Sequence, residues 1–169
     1  PQHPKPILKM LVEFKSLPES SRVWIYQANR SFAEDELSQI KKALDTFITD
    51  WTAHGADLKS GYEIRYKRFL ILGLDQSLNA ASGCSIDASV HFIQHLEKKY
   101  DVTLLDKMNV SYKQGEYVAY KSLVDFKKMA KQKAVSLNTI VFNNLVANKE
   151  EYLEHWEVPA SESWHSRLM

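Results

Sequence analysis

The single cysteine, Cys84, lies in Ala81-Ser82-Gly83-Cys84-Ser85-Ile86-Asp87, directly ahead of an apolar stripe at helical spacing. A thiol in the first turn of a helix meets unpaired backbone N–H groups and the positive end of the helix dipole, and both favour the thiolate. Such a sulfur can attack a carbonyl or a disulfide if an imidazole takes up its proton. Two histidines beside tryptophans are the candidates: His54 in Trp51-Thr52-Ala53-His54-Gly55 and His165 in Ser163-Trp164-His165. Cys84, His54 and His165 therefore form the candidate catalytic set, with Trp51, Ser85, Asp87 and Trp164 as candidate ligand-binding residues. The same residues also have a structural reading. In it Cys84 is a small buried apolar residue, Ser85 or Asp87 caps a helix, and each imidazole packs on its neighbouring indole.

His91 and His95 stand four apart, a spacing that lets two imidazoles on one helix face grip a divalent ion. They fall on the side opposite Ile86, Ile93 and Tyr100, no glutamate of the metalloprotease kind stands between them, and no third ligand presents itself, so no metal site is expected. Lys121, Lys127, Lys128, Lys131 and Lys133 make the most basic stretch of the chain. With Tyr112, Tyr117 and Tyr120 close by to stack on bases, Lys127, Lys128 and Lys131 are the candidates for nucleic-acid contact; lysines beside an apolar stripe are equally an ordinary solvated rim. Gly55-Ala56-Asp57-Leu58-Lys59-Ser60 only faintly echoes a phosphate-binding loop. Its second glycine is missing, its spacing is short, and it leaves a helix instead of entering one. No cofactor is expected.

These groups need a scaffold, and 169 residues with 44% hydrophobic and 25% charged side chains suit one globular domain. The 22 basic and 21 acidic side chains leave a net charge of +1, too little for a global field that would hold nucleic acid or anionic lipid. No apolar run approaches the roughly 18–20 residues of a membrane span. One cysteine excludes an internal disulfide, and Pro1-Gln2-His3-Pro4 lacks the basic-then-apolar pattern of a secretory signal, so a cytoplasmic location is expected.

Residues 1–21 carry four of the five prolines and read as an arm, in which Ile7, Leu8, Leu11, Val12, Phe14 and Leu17 can line a short helix; residues 22–169 read as the domain. Val23-Trp24-Ile25-Tyr26 predicts a strand. Ser31-x-x-Glu34 predicts a helix start, with Leu37, Ile40, Leu44, Phe47, Ile48 and Trp51 as its buried stripe and Gly55 as its stop. Tyr62–Leu74 reads as extended, an edge followed by a central strand. Ile86, Val90, Ile93, Leu96 and Tyr100 mark a second helix, Gln114-Gly115 a hairpin turn, Ser122-x-x-Asp125 a third helix, Ile140–Phe142 a strand, and Asn148-x-x-Glu151 a fourth helix ending before Pro159. The order predicts an α+β fold: a mostly antiparallel sheet with helices on one face, a ferredoxin-like core carrying a ββαβα extension. A doubly wound parallel sheet is the alternative.

Several blocks together resemble a family of small bacterial proteins often labelled "ABC transporter ATPase": Val23–Gln27, Trp51–Gly55, Ser82–Asp87 with Ser89–Ile93, Val141–Asn144, Trp156–Pro159 and Ser163–His165. The label implies Walker and signature motifs that this sequence lacks, so the resemblance implies no activity and no catalytic residues. The expectation is a binding or interaction module whose pocket lies near Trp51, His54, Cys84, Trp164 and His165, for an unidentified small molecule or protein partner. A cysteine-dependent hydrolase or transferase, and an RNA- or ribosome-associated protein, are the alternatives.

Overall fold

The β-branched and aromatic run around Trp24 forms strand β1 (Arg22–Gln27) in the computed structural model, which describes residues 10–169. Its partner is β5 (Phe69–Leu74), buried along its whole length, with β4 (Ser60–Arg65) on the far side. Both pairings are antiparallel, which makes β5 central and β4 an edge, as the patterning predicts. The turn between them uses Tyr66 and Lys67 at φ 53° and 55°, a left-handed pair usually given to Asn-Gly. The sequence marks the two strands by their patterning, but no glycine announces the turn between them.

Helices α1 (Glu34–Asp50) and α2 (Gly83–Tyr100) cover one face of this sheet. Leu37, Ile40, Leu44 and Ile48 of α1 and Ile93, Leu96 and Tyr100 of α2 are buried with Tyr26, Leu70 and Leu72. The expected start at Ser31 is corrected to Glu34: the Phe32 N–H donates to Lys67 O at 2.8 Å and the ring is buried, so the chain stays extended through Ala33. Glu36 closes the helix end by accepting the Ala33 N–H at 2.9 Å and both prongs of Arg30 at 2.8 and 2.9 Å. Arg30 in turn pulls the Glu36 carboxyl down to about 2. The helix stops at Asp50, before Gly55. His54 and Gly55, at φ 52° and 79°, instead turn a small hairpin of β2 (Thr52–Ala53) and β3 (Ala56–Asp57).

A second antiparallel sheet has the order β7-β6-β8-β9, from β6 (Asn109–Gln114), β7 (Tyr117–Ser122), β8 (Ile140–Phe142) and β9 (Glu157–Pro159). Gly115 makes the β6–β7 turn at φ 64°. α3 (Leu123–Lys131) and α4 (Lys149–His155) are capped as expected, by the Ser122 hydroxyl accepting the Asp125 N–H at 3.1 Å and by Asn148 Oδ1 accepting the Glu151 N–H at 2.9 Å. Pro159 conceals β9 in the sequence; it sits on an edge strand opposite Ile140, where a ladder can spare one N–H.

The fold is therefore α+β, and among the described residues every pairing between named strands is antiparallel, leaving the doubly wound alternative without support. β4, β5 and β1 supply three strands of a ferredoxin-like core. β6, the strand after α2, joins the second sheet instead of lying along β1.

Residues 10–17 rest on the domain. Met10 and Val12 exchange backbone hydrogen bonds with Ser60 at 2.8 and 2.9 Å, and Phe14–Ser16 is one 3₁₀ turn in place of the expected short helix. Phe14 and Leu17 pack against Gly73, where a Cβ would fall 2.7 Å from Leu17 Cδ1 and push the two side chains away. The buried Lys149 ammonium donates to the carbonyls of Phe14, Lys15 and Leu17 at 3.2, 2.9 and 2.7 Å. Ile7 and Leu8 lie outside the described residues. No helix among the described residues is long and apolar enough to cross a membrane.

Candidate functional site

The structure divides the sequence-predicted site between two faces of α2. Cys84, Ala88 and Phe92 recur every four residues and so share one helix face. They line an open cleft of about 700 Å³ together with Trp51, His54 and His95. Cys84 is exposed at the second position of α2. Ser82 caps the helix by accepting the Ser85 N–H at 3.1 Å, and the Ser85 hydroxyl accepts the Ser82 N–H at 2.7 Å. Gly83 and Cys84 open α2, where backbone N–H groups have no partner within the helix. Trp51 is buried, and its indole N–H donates to Ser85 O at 2.8 Å. All polar groups of Ser85 are thus used by the fold, and Asp87 is exposed and lines neither cleft.

Ile86 and Val90 project from another face of α2 into a second, more enclosed cleft of about 460 Å³. This cleft runs along the whole of β1 and holds both Trp164 and His165. It separates the two sheets at the place where β6 leaves β1. His165 is 1% exposed, stacks on Trp164 with ring centroids 3.8 Å apart, and shares a 2.7 Å hydrogen bond between its Nδ1 and the Ser163 hydroxyl. Burial pushes the imidazole down to about 4, so it is neutral at pH 7. The Trp164 indole N–H is buried with no hydrogen-bond partner among the described residues. A buried donor left unpaired costs about 1–3 kcal/mol.

One end of the cleft is closed by a polar network that the sequence does not reveal as a unit. Gln27 Oε1 accepts the Ser111 hydroxyl at 2.6 Å and Asn144 Nδ2 at 2.9 Å, while Gln27 Nε2 donates to Asn109 O at 3.0 Å. Asn144 Oδ1 accepts the Trp156 indole N–H at 2.9 Å. A glutamine ending an apolar strand and an asparagine pair following another are the only signals of it in the chain, because buried amides must find partners. Nearby, the buried Arg68 donates to Ala28 O at 3.3 and 3.1 Å and to Val118 O at 2.7 Å, a second tie between the sheets.

No protein-family model, curated protein or solved structure matches the chain. Among the described residues no group of three or more His, Cys, Asp and Glu side chains can hold a metal. Lys127, Lys128 and Lys131 are exposed on α3. Of the tyrosines expected to stack on bases, Tyr112 is 3% exposed and packs on Phe126, and the Tyr120 hydroxyl shares a hydrogen bond with Thr103; Tyr117, 80% exposed, alone presents a ring to solvent.

Proposed function

We propose that the protein is a binding module whose ligand occupies the cleft between the two sheets. The cleft itself carries this reading: it is enclosed between the sheets, largely apolar, and lined in part by Trp164, whose buried indole N–H has no partner among the described residues. Support also comes from which residues meet there. Val23–Gln27, Asn144 and Trp164–His165 belong to separate blocks of the resemblance to the bacterial family, and all of them line the cleft. A neutral, buried imidazole adds a second group able to donate or accept without bringing a charge indoors. The ligand suited to these walls is uncharged over its buried part and carries at least one carbonyl-type acceptor. The test is a fragment series of amides followed by the Trp164 indole resonance. Binding that shifts this resonance, and that is lost when Val90→Trp fills the cleft, agrees with the proposal; fragments that leave the indole unmoved oppose it.

The enzyme reading draws on the other cleft. Cys84 is exposed there, and His54, held at φ 52°, lines the same cleft. Rapid alkylation of Cys84 near neutral pH, slowed in His54→Asn, is the outcome that reading requires. An unchanged labelling rate in that variant removes His54 as the base.

A further inference from the structure

If the inter-sheet cleft is the binding site, the main-chain geometry inside it bears on the class of ligand. The Val23 N–H donates away from β5, to Ala147 O at 3.0 Å, whereas the Ala28 N–H donates toward it, to Arg68 O at 2.8 Å. Alternation along the strand then places the N–H and C=O of Ile25 on the outer edge of β1, on the side of Val23. Neither group of Ile25 has a hydrogen-bond partner among the described residues on that edge. The vacancy is bounded on both sides, by Ala147 against Val23 and by Asn109 O against the Gln27 side chain.

Chain order explains the vacancy. In a split β-α-β arrangement the strand following α2 would lie against β1, antiparallel to it, and satisfy this edge. β6 instead ends its contact with β1 at the Gln27 side chain and pairs with β7 and β8. The slot of a fourth strand is left as a cleft about 460 Å³ in volume, walled by Ile86 and Val90 on one side and by Val146 on the other.

We infer that β1 accepts a short extended peptide segment, which adds to the first sheet as its fourth strand; this deepens the binding-module reading and rests on it. An N–H and a C=O on one side of one residue are matched by the C=O and N–H of one residue on an antiparallel strand, so the complement is itself a peptide backbone. The apolar walls take the side chains that such a strand projects at alternate positions.

The probe is the capped peptide Lys-Thr-Val-Thr-Val-Thr-Lys, set beside the same peptide with N-methylated valines and titrated into the full chain. The expected result is an Ile25 amide whose hydrogen exchange slows about tenfold or more with the first peptide and is unchanged by the second. Ile25→Pro removes the outward N–H on an edge where proline leaves the β1–β5 ladder intact; in this variant the first peptide is expected to leave the Trp164 indole unmoved while thermal unfolding stays cooperative. If both peptides shift the Trp164 indole equally and Ile25 exchange is unaltered, the cleft binds ligands but not by strand addition, and this inference is overturned while the binding reading stands. If the amide fragments shift the indole and neither peptide does, the inference is likewise overturned. If nothing shifts the indole, both fail.

Discussion

His165 concentrates much of the residue-scale physics. Burial favours its neutral form, so the unfolded chain, with an ordinary histidine near 6.5, binds a proton that the folded chain refuses. Stability is therefore full above pH 6.5 and falls as the pH drops toward about 4. Urea unfolding at pH 7 and at pH 4.5 is expected to differ by an amount of which on the order of 1–3 kcal/mol disappears in His165→Gln. An equal pH dependence in the variant would show that the imidazole is not the titrating group. Lys67 offers a second test. It holds φ 55° in the β4–β5 turn and its ammonium pairs with the exposed Glu34, so Lys67→Gly is expected to raise stability by about 0.5 kcal/mol. At this scale the sequence groups Cys84, His54 and Trp51 with Trp164 and His165, whereas the first three line one cleft and the last two the other. His165 is not legible as a separate case, since chemical type carries no information on which side of α2 a residue some eighty positions later will pack.

Elements are more legible than sites. The stripes of α1 and α2 stand out because burial on one face demands a 3.6-residue period. The stripe of α2 also holds a hint of function: Ile86 and Val90 continue it beyond the core residues Ile93, Leu96 and Tyr100, and those two are the apolar wall of the cleft. Starts and stops fail where a tertiary contact overrides a local cap. Phe32 fills the core and delays α1, and the β2–β3 hairpin claims Gly55. The arm imitates a helix in its pattern because its apolar residues answer to Gly73, β4 and Lys149, all distant in sequence. Lys149→Met is expected to cost about 2–4 kcal/mol, since three carbonyls lose their donor, and to expose residues 10–21 to proteolysis before global unfolding. Unaltered protection of that segment would mean that Phe14 and Leu17 hold it unaided.

On the scale of the whole molecule, two antiparallel sheets meet along an aromatic layer of Phe69, Phe142, Tyr152 and Trp156 and are tied by Gln27 and Arg68. Gln27→Leu leaves Asn144 and Ser111 short of an acceptor and is expected to cost about 2–3 kcal/mol, with a shift in the Trp156 indole resonance that reports slippage between the sheets. The α+β class follows from element order, whereas the parting of β6 from β1 does not, because either placement satisfies the same pattern of alternating residues. That parting leaves the cleft, and the proposal that a peptide strand adds there depends on the outer edge of β1 standing vacant. Amide hydrogen exchange along β1 in the ligand-free chain tests it most directly. The account predicts fast exchange at Ile25 between slowly exchanging neighbours at Val23 and Tyr26; an Ile25 amide as protected as those two would mean that the edge is already paired.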